Sequence, residues 1–156
     1  MSSVCLCGII KDNQVILFLG NSGSGKTTIA RLSKKYIILS DEMVAIRKIK
    51  DDFFAFATPW WGRDSKRPKK INKEITGKIS QVFFLKKDRE IFFKDMTLAE
   101  AIIKIIGDKL SFKRSLNFQG REDVFYLTID LLKKVHLGEM HFFRDVSFWH
   151  YLTIRR

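Results

Sequence analysis

Val15-Ile16-Leu17-Phe18-Leu19-Gly20-Asn21-Ser22-Gly23-Ser24-Gly25-Lys26-Thr27-Thr28-Ile29-Ala30 is the stretch on which the fold turns. Its first five residues form an apolar strand, and from Thr27 to about Lys34 the placing of Ile29, Ala30 and Leu32 suits a short helix. Between them, Gly20-Asn21-Ser22-Gly23-Ser24-Gly25-Lys26-Thr27 satisfies G-x-x-x-x-G-K-[ST] without a mismatch, in the strand-to-helix setting that the pattern requires. Glycines there let successive backbone amides curl around a phosphate at the positive end of a helix. Lys26 then sets its ammonium on the outer phosphates, and Thr27 offers a hydroxyl to Mg²⁺.

Upstream, Val4 to Ile10 is a second apolar run, parted from Val15 by Lys11-Asp12-Asn13-Gln14. Asp-Asn is good hairpin-turn chemistry, so the two strands are expected to run antiparallel. Downstream, Tyr36-Ile37-Ile38-Leu39 is brief and uninterrupted in its hydrophobicity, as in a strand covered on both faces, and it ends at Ser40-Asp41-Glu42. A phosphate cradle does not by itself choose a reaction. Phosphoryl transfer also needs a carboxylate to hold a metal or accept a proton, and Asp41 and Glu42 are the candidates. A third strand lying next to the loop strand would carry both to the sheet edge that holds the phosphates.

Further along, Val44 to Ile49 and Phe53 to Ala57 read as strands, with Thr58-Pro59-Trp60-Trp61-Gly62 as a turn. Arg63 to Lys78 holds seven basic residues against two acidic ones with no period, the composition of a surface loop. Gln81 to Leu85 and Glu90 to Phe93 read as strands around Lys86-Lys87-Asp88-Arg89. Thr97-Leu98-Ala99-Glu100 is a capping box, opening a helix with Leu98, Ala101, Ile102, Ile105 and Ile106 on its apolar face and Gly107 at its end. A second helix spans Arg121 to Val135. Met140 to Phe143 is a late strand, and Asp145 caps a short helix carrying Phe148, Trp149 and Leu152. The phenylalanines, falling in strands and helices, read as core. More strands than helices in the first half point to a mixed sheet with flanking helices, an α/β fold around a P-loop nucleotide-binding core.

The chain has 156 residues, 46% of them apolar, and is expected to form one domain over 1–156. No apolar run approaches the roughly 20 residues of a membrane span, and the start lacks a signal peptide's basic flank, so the expected location is cytoplasmic. Cys5 and Cys7 are too close for an easy disulfide and too few for a zinc site. Twenty-nine Lys and Arg against seventeen Asp and Glu give a net charge of +12, which favours an anionic partner without saying which. His136, His141 and His150 have no metal-ligand spacing.

Gly20 to Thr28, Leu39-Ser40-Asp41-Glu42-Met43-Val44 and Thr58-Pro59-Trp60-Trp61-Gly62 together resemble the C-terminal domain of the HPr serine kinase/phosphorylase family, especially its small relatives beside ribosomal-peptide and lasso-peptide genes. Val82-Phe83-Phe84-Leu85, Thr97 to Ala101 and Val135 to Phe148 follow in the family's order, so the likeness covers nearly the whole chain. The resemblance implies a fold related to ATP-dependent phosphoenolpyruvate carboxykinase, ATP and Mg²⁺ as cofactors, and transfer of the terminal phosphoryl group to a serine-containing protein, peptide or small-molecule acceptor. Carried over residue by residue, Gly20 to Thr28 bind the nucleotide and Lys26 and Thr27 hold phosphate and metal. Asp41 positions Mg²⁺ and Glu42 is the base. The family usually has Asp where Glu42 stands, and a histidine about where Cys5 falls. These departures keep open a basic nucleotide-binding module or ATPase with weak or no transfer activity, for which nucleic acid is a further candidate partner. An oligomer is open too. Arg63, Lys66, Arg67, Lys69 and Lys70 could draw an acidic peptide or cover the phosphates, or form a solvated loop. Trp60 and Trp61 could stack on adenine or a peptide side chain, or anchor their turn on the core.

Overall fold

Asp12 and Asn13 both adopt left-handed backbone, with φ of 48° and 61°, between the paired residues Lys11 and Gln14. Two left-handed residues in succession match the twist of the strands they join, and Asp and Asn tolerate that conformation better than most. The turn links β1 (Ser2–Lys11) to β2 (Gln14–Leu19). This computed structural model describes residues 2–62, 75–107 and 118–152. After β2 come α1 (Lys26–Leu32), β3 (Ile37–Ser40), β4 (Met43–Ile49), β5 (Asp52–Phe56), β6 (Thr76–Lys87), β7 (Phe92–Asp95), α2 (Leu98–Gly107), α3 (Phe118–Lys134), β8 (His136–Phe142) and α4 (Phe148–Tyr151).

The eight strands form one mixed sheet. Pairing runs β3-β1-β2-β6-β8-β7, with β1 antiparallel to both β2 and β3, β2 parallel to β6, β6 parallel to β8, and β7 antiparallel at the end. Consequently β3, β2, β6 and β8 all point the same way, and their carboxyl ends share one rim. The long strands β1 and β6 also serve a second ring. The start of β1 pairs with β4, β4 with β5, and β5 with the start of β6, closing a loop through β2.

Alternation along the strands divides the core. Ile16, Phe18, Phe83, Leu85, Met140 and Phe142 face α1 and α4, packing on Ile29, Ala30, Phe148 and Trp149. Leu17, Leu19, Val82, Phe84 and Leu137 face the other way, toward Ala101 and Ile105 of α2 and Leu131 and Leu132 of α3. Each such Leu, Ile, Val, Phe or Met side chain contributes about 1.5–3 kcal/mol on burial. The terminal helix is tied down by polar bonds as well. Trp149 donates its indole N–H to Ser33 Oγ at 3.0 Å, Ser33 Oγ donates to Ile29 O at 2.6 Å, and Lys11 Nζ donates to Leu152 O at 3.0 Å.

The capping box forms as its residues suggest. Thr97 N donates to Glu100 Oε2 at 2.8 Å and Glu100 N to Thr97 Oγ1 at 3.2 Å, opening α2. Asp145 accepts from Ser147 N at 2.6 Å, but the cap position of α4 is Ser147, without a side-chain cap bond, so Asp145 braces the turn ahead of the helix rather than capping it. Elsewhere the structure departs from expectation. The supposed loop to Lys78 already contains the start of β6, because Thr76 to Lys78 are held by β5, a distant partner that local composition does not reveal. β3 does not lie next to β2: β1 stands between them. Consecutive β6 and β7 are not neighbours, since β8 lies between them and pairs with both. Ile106 is exposed rather than on the packed face of α2, and Phe92 and Phe143 are exposed while Phe18, Phe53, Phe84, Phe142 and Phe148 are fully buried. Among the described residues no helix is long and apolar enough to cross a membrane.

Candidate functional site

The rim of parallel strand ends holds a cleft of about 450 Å³, lined by Ser22, Gly23, Gly25, Lys26, Thr27, Thr28, Asp41, Glu42, Gly62 and Lys87. Three of the parallel strands bring in all of these residues but Gly62, which follows β5. The loop follows β2, the acids follow β3, and Lys87 ends β6, while Phe142 at the end of β8 packs under the loop.

Gly23 and Gly25 have φ of 81° and 109°, values that side-chain-bearing residues rarely adopt. At Gly25 the constraint is double, since a β-carbon there would collide with the ring of Phe142. Ser24 N donates to Asn21 O at 3.0 Å, and Ile29 N to Gly25 O at 2.9 Å, so the loop folds back on itself and runs into α1. Lys26 is only 7% exposed. Its ammonium donates to Gly20 O at 2.6 Å and Asn21 O at 3.0 Å, both carbonyls of its own loop. A buried ammonium stabilised by main-chain dipoles is under-neutralised, and an anion would complete its surroundings.

Asp41 is 2% exposed, and its Oδ1 accepts from Gly62 N at 3.0 Å. Glu42, its neighbour, is exposed. The turn carrying them is sewn to the Thr58–Gly62 segment. Ser40 Oγ donates to Trp60 O at 2.5 Å and accepts from Glu42 N at 3.1 Å and Met43 N at 3.0 Å, and the Thr58 hydroxyl donates to the Met43 carbonyl. The two segments thus form one wall. Trp61 is half-buried and donates its indole N–H to Thr58 O at 3.2 Å, whereas Trp60 is 58% exposed, so it is not the core anchor of that turn. Beneath the site lies Cys7, fully buried. Burial and the nearby Asp41 carboxylate push its thiol well above the ordinary range, outweighing the pull of Lys26, so it is inert as a nucleophile. Cys5 pairs across β1–β4 with Met43, next to Glu42 in sequence.

The donor set suits Mg²⁺. Thr27 supplies a hydroxyl and Asp41 and Glu42 supply carboxylates, hard oxygen ligands, and this ion takes one or two carboxylates together with phosphate oxygens and water. Among the described residues no three His, Cys, Asp or Glu side chains gather into a metal site of protein ligands alone. Gly20, Asn21 and Ser24 belong to the same loop but do not line the cleft; the Ser24 side chain occupies the space that a β-carbon at Gly20 would take, with its hydroxyl buried and unbonded. Arg63, Lys66, Arg67, Lys69 and Lys70 lie outside the described residues.

Sequence reasoning did not single out Lys87. The signal was there: like Asp41, it is a charged residue that closes an apolar strand. It also missed a second polar cluster on the opposite face of the same rim. His141 Nδ1 lies 2.7 Å from Asp88 Oδ2 and its Nε2 lies 2.7 Å from Glu139 Oε1, while Glu139 Oε2 accepts from Lys104 Nζ at 3.0 Å. Phe92 stacks on the imidazole with ring centres 3.9 Å apart. The His141 bond, and the Arg89 N–H with it, hold Asp88 below the usual carboxylate range. Burial pushes Glu139 up, but its bonds to Lys104 and His141 together bring it below that range.

Among solved structures the chain is similar to the Hpr(Ser) kinase/phosphatase from Coxiella burnetii, with a TM-score of 0.43 and 11% identity over 91% of this chain and 85% of that one. That is a distant fold relationship and no more. No family model matches the chain, and no curated protein matches it.

Proposed function

We propose that the chain transfers the terminal phosphoryl group of ATP, with Mg²⁺, to the hydroxyl of a serine-containing protein, peptide or small molecule. The observation that carries this reading is the buried Lys26 ammonium, bonded among the described residues to carbonyls of its own loop, in a cleft that two adjacent carboxylates also line. Phosphoryl transfer asks little covalent chemistry of a protein; it asks for alignment and neutralised charge.

In this reading the loop from Gly20 to Thr28 wraps the phosphates and Lys26 neutralises the outer ones. Thr27 and Asp41 hold Mg²⁺, which when bound offsets charge on the phosphate oxygens. The contrast between the acids supports the division of their roles. Asp41 is buried and fixed by Gly62 N, as suits a ligand that must not move. Glu42 reaches solvent, the side from which an acceptor arrives, and would take the hydroxyl proton as the new O–P bond forms and the bond to ADP breaks.

The test is incubation with γ-labelled ATP and Mg²⁺ and a panel of free serine, an HPr-like protein and short serine peptides. Label is expected on an acceptor with wild type. Lys26→Ala should lose both binding and transfer. Glu42→Gln should keep ATP binding while transfer slows on the order of 100-fold or more. ATP bound with label on no acceptor would replace this reading with the nucleotide-binding module. Label released as free phosphate would replace it with an ATPase.

A further inference from the structure

Lys87 faces the phosphate cleft, and its side chain is exposed. What fixes it is the main chain at the end of β6. Lys87 pairs with Phe142, the residue whose ring underlies Gly25 of the loop. Asp88, the next residue, donates its N–H to Phe142 O at 2.9 Å, and its carboxylate accepts from Arg89 N at 2.6 Å while its other oxygen meets His141. The strand end would otherwise fray into an exposed turn.

His141 bonds carboxylates at both ring nitrogens, and it can donate to both only when both carry hydrogen. The ring is enclosed by Asp88 from the turn after β6, Phe92 from β7, Glu139 on its own strand with Lys104 of α2 behind it, and the cross-strand neighbour Lys86. Its side chain is 7% exposed. It therefore links α2 and β8 to the turn that carries Lys87.

We propose that Lys87 is a second phosphate-binding cation of the cleft, and that His141, bridging Glu139 and Asp88, is the positioning residue that holds Lys87 over the phosphates. The proposal rests on the reading of the cleft as a nucleotide site and adds to it the group that grips the polyphosphate tail from the β6 side. A cation fixed in advance loses less freedom on binding, which raises affinity without a new contact.

Calorimetric titration with inorganic tripolyphosphate, with and without Mg²⁺, tests this independently of any transfer. Lys87→Ala should weaken binding about tenfold, the worth of one charge-assisted bond. Lys133→Ala, which removes the same charge from the last turn of α3 at the far end of β8, should leave it unchanged. His141→Gln should cost roughly threefold, less than loss of the cation itself. In a Lys87→Ala background His141→Gln should cost nothing further, because the cation that it positions is gone. Asp88→Asn breaks the same link from the exposed side, and serves if His141→Gln does not fold. Wild-type binding with Lys87→Ala unaffected overturns the role of Lys87 and leaves the nucleotide site standing. Lys87→Ala weakened, with a His141→Gln cost that is absent or that persists undiminished in the Lys87→Ala background, overturns the role of His141. No binding by wild type overturns the proposal and the nucleotide reading together.

Discussion

The glycine-rich loop and the His141 chain occupy the same rim of the sheet on opposite faces, and they handle charge in opposite ways. In the chain, Asp88, His141, Glu139 and Lys104 bond one to the next, so each side chain meets a polar side-chain partner. In the loop, the Lys26 ammonium is almost wholly buried and its hydrogen bonds end on main-chain carbonyls. The closed chain is the arrangement of a residue set that stabilises the fold. The loop holds a charge at a cost, and such a cost is expected where a ligand is to be met.

If the contrast is right, the sign of a substitution's effect on stability should differ between the two. Lys26→Met should weaken ATP and tripolyphosphate binding on the order of 100-fold, while the thermal midpoint of the free protein stays the same or rises. Calorimetric titration and melting curves on one preparation check both halves, and a destabilised Lys26→Met would break the comparison. His141→Ala should do the reverse to stability, lowering it, because one oxygen of each of two carboxylates loses its partner, as denaturant unfolding would read.

Acid sharpens the same contrast. Asp88 and Glu139 sit below their ordinary values in the folded chain. Their contribution is therefore complete above about pH 5 and drains away as pH falls through those lowered values, because the unfolded state takes up protons first. Melting temperatures should fall with acid less steeply in Glu139→Gln than in wild type. The smallest effect sets the scale for a purely local bond. Thr97→Ala removes one side of the α2 capping box and should cost about 1 kcal/mol with no change in nucleotide affinity.

Much of the site was legible residue by residue. Gly20 to Thr27 announces a turn between strand and helix because the glycines and the Lys-Thr pair serve local backbone needs, and Gly23 and Gly25 do take the left-handed conformations. Asp12-Asn13 and Thr97-Glu100 were legible for the same reason: their bonds close within a few residues. Lys87 and His141 were not. Lys87 stands in a run of charges that reads equally well as a turn, and its nearness to the loop exists only because β6 pairs in parallel with β2. His141 has no spacing signature, since one of its partners comes from the turn before β7 and the other from its own strand.

The chain's local chemistry, then, fixed the hairpin, the glycine loop between β2 and α1, the acids closing β3 and the capped start of α2, because each depends on backbone conformation and hydrogen bonds within one short segment. Strand order was decided only in three dimensions. β3 was expected beside β2 and lies beyond β1, yet Asp41 still reaches the loop's rim, because two strands antiparallel to the same neighbour must be parallel to each other. Which edge a strand takes depends on partners dozens of residues away and on how the ring through β4 and β5 closes, and no local pattern carries that information.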